Sequence, residues 1–121
     1  MAGTHSERSS SKNRTLTGIV AHPVGLLLGI VGAGPLYLLA RNGFTTENAR
    51  NALNWQIAIT IALAGLTVVA FAVPSSFDAV VVAAIFGIFF LLFVDFVVVL
   101  YATVKAISGE AWEYPVAPKI V

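Results

Sequence analysis

The sequence contains no cysteine, and only 11% of its 121 residues are charged. The missing cysteines exclude a disulfide framework, thiol chemistry and zinc sites built on Cys. Two histidines, His5 and His22, are too few and too far apart to indicate a metal site. The net charge of +1 argues against a broad nucleic-acid-binding surface, which needs many basic side chains to neutralise phosphates. No nucleophile–base set or phosphate-binding glycine loop is present, so we expect neither an enzyme nor a cofactor.

Hydrophobic residues make up 58% of the chain, and most of them lie in three long runs. About 20 consecutive apolar residues cross the ~30 Å hydrocarbon core of a bilayer as a helix. We therefore predict an all-α integral membrane protein with three transmembrane helices, at about residues 16–40, 49–73 and 79–107. The polar, Ser-rich residues 1–14 are predicted to be a disordered tail. Residues 15–121 are predicted to form one transmembrane domain that ends in a short amphipathic tail.

Glycines recur every seven residues along the first run, at Gly18, Gly25 and Gly32, and Gly25 and Gly29 form a GxxxG motif. Small residues let helices approach closely, so this pattern predicts a helix-packing face. The alternative is that glycine is simply common in membrane helices. Gly65 in the second run lies on the same helical stripe as Asn54 and is expected to pack in the same way.

Asp95 is an acidic residue in the middle of the third run. Three of the four positions closest to it around a helix are alanines, which indicates that this face is covered by another helix. Exposure of the carboxyl to lipid would cost ~2.5 to 3.5 kcal/mol, so we predict that it points inward. Two interpretations stay open. Asp95 is either a functional titrating group or a protonated carboxyl that donates a hydrogen bond between helices.

The second run begins with several amide side chains, including Asn51 and Asn54. An amide within hydrocarbon needs a partner, so these residues either bind helices together or line a polar vestibule. His22 is more typical of a hydrogen-bonded interfacial residue than of a ligand or proton relay. The aromatic rings of Trp55, Trp112 and Tyr114 are suited to the headgroup level of a bilayer.

The segments between the runs carry end signals for helices. Gly43 is suited to cap the first helix at its C-terminus, and Gly109 to stop the third. Thr45 or Thr46 is predicted to cap the start of the second helix. Three spans would place residues 41–55 and the C-terminal tail on one side of the membrane, opposite the N-terminal tail. Ion pairs are then possible between two arginines and two glutamates: Arg41, Arg50, Glu110 and Glu113.

Two longer motifs carry a resemblance to a known family. The second run opens with Asn48-Ala49-Arg50-Asn51-Ala52-Leu53-Asn54-Trp55-Gln56-Ile57. The third run closes with Ala106-Ile107-Ser108-Gly109-Glu110-Ala111-Trp112-Glu113-Tyr114-Pro115. Two shorter motifs, Ala21-His22 and Gly34-Pro35-Leu36, add to them. Together the four motifs resemble a small prokaryotic membrane-protein family of unknown function, and the resemblance covers nearly all residues after Thr17. That family is related to the twenty-kilodalton component of the chloroplast inner-envelope protein translocon. The resemblance implies a helical membrane domain without enzymatic activity or cofactor, and a link to protein translocation or insertion. It also singles out a motif surface formed by Asn48, Arg50, Trp55, Gln56, Gly109, Glu110, Trp112, Tyr114 and Pro115.

Together these features predict a non-enzymatic, multi-pass protein of the cell membrane that acts as an accessory or scaffold bundle. Its partners would be the lipid bilayer and either further copies of itself or a larger membrane complex. The alternative is a small oligomeric transporter or channel linked to protons or ions. In that case Asp95 would titrate, and Asn51 and Asn54 would line a polar path.

Overall fold

A computed structural model describes residues 14–121 and contains four α-helices. Helix α1 spans Leu16–Leu28, α2 spans Ile30–Leu39, α3 spans Gly43–Ala72 and α4 spans Asp78–Ile107, with a short 3₁₀ turn at Ser75–Phe77. No strand occurs in this part of the chain. The all-helical prediction is therefore confirmed. The predicted disordered tail, residues 1–14, lies outside the described residues except for Arg14.

Two helices, α3 and α4, are long and apolar enough to cross a membrane. Each has 30 residues and is about 45 Å long. They are antiparallel, because Trp55 of α3 meets Asp95 of α4, whereas Leu66, further along α3, lies against Gly87, which precedes Asp95 in α4. The predicted third helix agrees with α4 to within one residue at its start.

The first apolar run is not one continuous helix, which corrects the prediction for residues 16–40. Gly29 has φ +60° and ψ −141°, a conformation that ends α1 and turns the chain before α2 begins. Only glycine adopts such angles without steric cost. The two resulting helices contain 13 and 10 residues, about 20 Å and 15 Å, so neither is long enough to cross a bilayer.

Helices α1 and α2 form an antiparallel hairpin beside the first half of α3. Along α1, Thr15 contacts Thr45 and His22 contacts Asn48, so α1 runs parallel to α3. Helix α2 then returns, and a Cβ atom added to Gly32 would lie only 2.7 Å from the Val24 Cγ1 atom of α1. The start of α1, the end of α2 and the start of α3 therefore lie together.

The helix ends explain two further corrections. The Asn42 side chain caps α3 by accepting hydrogen bonds from the backbone N–H groups of Phe44 and Thr45. Gly43 is therefore the first residue of α3 rather than a C-terminal cap, and neither Thr45 nor Thr46 is the N-cap. The predicted stop at Gly109 is confirmed. Gly109 has φ +92°, and the Glu110 N–H donates back to the Lys105 carbonyl, as in a Schellman motif.

Burial divides the molecule into two halves along α3 and α4. Around the first half of α3, all helices and residues 109–121 pack together, whereas no residue of α3 beyond Ile59 is buried. We call residues 60–94 the apolar arm. Its surface carries exposed aromatic side chains, among them Phe71, Phe86, Phe89, Phe90 and Phe93.

Candidate functional site

Six buried side chains from α1, α3, α4 and the C-terminal tail meet in the packed half of the molecule. We call them the polar cluster. Each is at most 4% exposed, although none is purely aliphatic. The members are His22, Asn48, Trp55, Gln56, Asp95 and Tyr114. Because they come from four separate segments, their contacts fix how those segments pack.

His22 is fully buried and is hydrogen-bonded through both ring nitrogens. Its Nε2 atom lies 2.8 Å from Asn48 Oδ1, and its Nδ1 atom lies 2.7 Å from the Tyr114 hydroxyl. The Asn48 amide nitrogen donates to the Phe44 carbonyl, which leaves Oδ1 as the acceptor that faces His22. A neutral His22 therefore donates from Nε2 and accepts from the Tyr114 hydroxyl at Nδ1.

Asp95 faces inward and accepts two hydrogen bonds from α3. The Trp55 Nε1–H group donates to Oδ1 at 2.8 Å, and the Gln56 amide donates to the same oxygen at 3.2 Å. Oδ1 therefore acts as an acceptor between helices, since both partners carry the hydrogens. The neighbours Ala84, Ala102 and Ala106 are also buried, which leaves room for this contact.

The Tyr114 ring links the histidine and aspartate parts of the cluster. It stacks on Trp55 with ring centroids 5.0 Å apart and planes 17° apart, and it lies 5.6 Å from the His22 ring. Trp112 and Tyr101 extend the aromatic contacts towards the surface. Burial raises the pKa of the Tyr114 phenol well above its usual range, and the Asp95 charge adds to this shift. The hydroxyl thus stays protonated as a donor.

Amide side chains of α3 hold the C-terminal tail in place. Asn51 donates to the Trp112 carbonyl at 3.1 Å, and Asn54 Oδ1 accepts from the backbone N–H groups of Ile120 and Val121 at 3.0 and 2.9 Å. The extended tail has no helix or strand of its own to satisfy its backbone groups. The two asparagines supply these bonds, so they connect helices to tail.

The hydrogen bonding of the cluster decides what it can do chemically. Among the described residues, no buried side-chain nitrogen or oxygen lacks a partner. In residues 14–121, no group of three His, Cys, Asp or Glu side chains could hold a metal ion. Two open cavities, of about 150 and 170 Å³, lie beside the tail and are lined in part by Asn51 and Glu113. Asp95 lines neither cavity. The arrangement is suited to holding segments together.

Four of the nine residues of the predicted motif surface are buried. Trp55 and Tyr114, expected at the headgroup level, are both 4% exposed and stack on each other. Asn48 and Gln56 are equally buried, and Trp112 is half-buried. Arg50 is also half-buried and, with Glu47, lines the cavity of about 170 Å³. Pro115 lines the smaller cavity.

The expected ion pairs between arginines and glutamates do not form. Glu110 pairs with Lys105 and Glu113 with Lys119, each at 3.4 Å. Each glutamate pairs instead with a lysine five or six positions away in the sequence. These four side chains are 32–79% exposed, so the pairs contribute little to stability.

The structure places the five predicted packing glycines in three different environments. Gly18, Gly25 and Gly32 are buried against neighbouring side chains, where an added Cβ atom would lie 2.7 to 3.3 Å from the nearest atom. Gly29 is the turn itself and belongs to no packing face. Gly65 lies on the apolar arm with nothing within 4 Å of an added Cβ atom.

The family-model comparison identifies the chain over nearly its whole length. The model of the magnetosome magnetite crystal formation protein family matches residues 13–121. The chain belongs to this family. The magnetosome family consists of membrane proteins involved in magnetite crystal formation. No curated protein and no solved structure matches the chain.

Membership of the magnetosome family overturns the resemblance to the translocon-related family. The two motifs that carried it meet in the polar cluster, where Trp55 of the first stacks on Tyr114 of the second. This contact joins α3 to the tail and carries no information about translocation. The predicted link to protein translocation rested on that resemblance alone and is not supported.

Proposed function

We propose that the chain is a non-enzymatic scaffold protein of the magnetosome membrane that takes part in magnetite crystal formation. Family membership supports the process. The polar cluster supports the scaffold role, because its buried polar groups are hydrogen-bonded to each other or to backbone. A buried acid or histidine that acts on a substrate needs a route to it, whereas His22 and Asp95 are enclosed by helices and tail.

The proposed membrane arrangement has two spanning helices, α3 and α4, and one hairpin that enters and leaves from the same side. This replaces the three predicted spans. Residues such as Leu27, Leu28 and Val31 at the tip of the α1–α2 hairpin are exposed and apolar, as expected of a tip that lies within hydrocarbon. Its backbone is hydrogen-bonded within each helix, and at the turn the N–H groups of Gly32 and Ala33 donate to the Gly29 carbonyl.

The apolar arm gives the scaffold a surface for lipid or for further protein copies. Only 17% and 11% of the most apolar windows of α3 and α4 are buried within the molecule. Bilayer lipid covers such a surface, and a second copy of the chain or another membrane protein can do the same. We therefore propose a homo-oligomer or a larger membrane complex.

The proposed function is tested in the cell that makes the chain. Deletion of the protein is expected to change the number or size of magnetite crystals seen by electron microscopy, and the wild-type chain should restore them. Asp95→Asn retains an acceptor oxygen and should restore them as well, whereas Tyr114→Ala should not. Normal crystals after deletion, or absence of the protein from magnetically isolated magnetosomes, would refute the proposal.

Transport linked to protons or ions stays a prediction without specific support. Asp95 is buried, as that role requires, but its Oδ1 atom is occupied by Trp55 and Gln56. In reconstituted vesicles, a proton flux that is lost in Asp95→Asn would favour transport over the scaffold.

A further inference from the structure

A groove of about 390 Å³ lies where the α1–α2 hairpin opens beside α3. It is lined by residues from the start of α1, the end of α2 and the start of α3. These residues are Thr15, Thr17, Leu36, Leu39, Ala40, Arg41, Asn42 and Thr45. The groove shares no residue with the polar cluster.

The groove combines hydrogen-bonded threonine hydroxyls, apolar side chains and one cationic side chain. At the floor, the hydroxyl groups of Thr15 and Thr45 are hydrogen-bonded to each other, and Thr15 also caps α1. The wall includes Leu39, which is 77% exposed. At the rim, Arg41 and Thr17 are exposed. Among the described residues, the salt bridges join Lys105 to Glu110 and Lys119 to Glu113, and neither includes Arg41.

We propose that this groove binds an anionic phospholipid, with the phosphate at Arg41 and an acyl chain along Leu36 and Leu39. Guanidinium groups bind phosphate in a bidentate way, and the Thr17 hydroxyl supplies a further donor. The apolar wall selects a lipid over a free phosphate, because only a lipid covers Leu39.

The position of the groove agrees with the proposed membrane arrangement, on which this inference rests. Arg41 comes two residues after the end of α2, so it lies at the mouth of the hairpin, while Leu28 and Val31 lie at the opposite tip, within hydrocarbon in the proposed arrangement. A phosphate at Arg41 would therefore lie at headgroup level, and its acyl chain would run towards the tip. The hairpin would then be held to the bilayer by a specific lipid as well as by its apolar surface.

The test is lipid retention by the full chain, purified in mild detergent, mixed with equal amounts of phosphatidylglycerol and phosphatidylcholine and examined by native mass spectrometry. We expect retention of phosphatidylglycerol to exceed that of phosphatidylcholine by about fivefold, the ratio typical of one basic side chain at an anionic surface. Arg41→Gln should abolish the preference. Arg50→Gln is the matched control and should keep it, since Arg50 lines a different cavity.

Further arms identify the source of the phosphate and guard against misfolding. Excess inorganic phosphate should not displace the lipid; if it does, the site binds free phosphate and the proposal is wrong. Arg41→Lys keeps the charge, from which the fivefold expectation comes, and loses only the bidentate geometry, so complete loss of the preference together with normal helicity would also overturn the proposal. Equal retention of both lipids by the wild-type chain would do the same. The lipid assay uses purified protein and does not measure crystal formation. A negative result here is therefore distinguishable from failure of the scaffold role, which is measured in cells.

Discussion

Tyr114 joins parts of the chain that no helix connects. It lies in an extended tail, yet its ring is stacked on Trp55 of α3 and its hydroxyl reaches His22 of α1. A tyrosine in such a position contributes in two ways: the ring fills space, and the hydroxyl satisfies a buried nitrogen. The two contributions are separable by substitution, which makes this residue the most informative one in the cluster.

We predict that Tyr114→Phe destabilises the protein by ~1 to 3 kcal/mol, because it leaves the buried His22 Nδ1 atom without a donor while keeping the stacked ring. Thermal unfolding in detergent, followed by circular dichroism, measures the change. Tyr101→Phe is the control, since Tyr101 is 49% exposed and should tolerate the loss of its hydroxyl. Equal unfolding temperatures for Tyr114→Phe and the wild-type chain would contradict the assigned hydrogen bond.

Substitutions of Asp95 separate its acceptor role from its charge. We predict that Asp95→Leu is destabilising by at least ~1 to 3 kcal/mol, because the buried N–H groups of Trp55 and Gln56 lose their acceptor. Asp95→Asn keeps a carbonyl oxygen and should lose much less. The comparison uses the same unfolding measurement. If Asp95→Asn is as unstable as Asp95→Leu, the carboxylate charge rather than its acceptor geometry stabilises this contact.

Among the helices, the α1–α2 hairpin depends on one residue. Gly29 combines φ +60° with ψ −141°, a region that costs other residues about 1 to 3 kcal/mol. We therefore predict that Gly29→Ala lowers the unfolding temperature. In one continuous helix the same change would be stabilising by ~0.5 to 1 kcal/mol, because alanine favours helix over glycine. The sign of the effect decides between the hairpin and a continuous span.

Gly34→Ala is the matched control for this prediction. Gly34 lies inside α2, where an added Cβ atom meets nothing within 4 Å. The substitution should be neutral or slightly stabilising. Destabilisation by Gly34→Ala to the same extent as by Gly29→Ala would mean that the effect arises from general crowding and not from the turn.

The same hairpin shows where prediction from sequence ends. Helix α4 could be predicted almost to the residue, since its long apolar run contains a single acidic residue, Asp95, and Gly109 marks its end. The first run has the same hydropathy, and nothing in its composition distinguishes a span from a hairpin, because the difference lies in the backbone angles of Gly29. Glycine permits that turn but does not require it. Packing of both halves against α3 selects it.

The candidate site was also predictable only in part. The burial of Asp95 follows from the alanines around it, a local pattern on one helix. The pairing of Trp55 with Asp95 and of Tyr114 with His22 joins residues 40 and 92 positions apart. Aromatic side chains with a polar group suit a membrane interface and a buried cluster equally well, so residue type alone favoured the wrong location.

For the whole molecule, the fold places nearly all polar segments at one end. Arg14 donates to the Ile107 carbonyl at the end of α4, Asn42 caps the start of α3, and the tail packs over the same half. The opposite end is only the short turn between α3 and α4. In the proposed arrangement, almost all of the protein's polar surface therefore lies on one side of the membrane.

This arrangement predicts which positions share a side of the membrane. The chain has no cysteine, so single cysteines introduced at Ser11, Ser108 and Ser76 can each be labelled alone in sealed vesicles with an impermeant thiol reagent. With a hairpin, Ser11 and Ser108 should react from one side and Ser76, in the turn before α4, from the other. With three spans, Ser11 would react together with Ser76, because the first run would carry the chain across the membrane. Labelling of Ser11 from the side of Ser76 would therefore disprove the hairpin, while Ser108 and Ser76 serve as internal standards for the two sides.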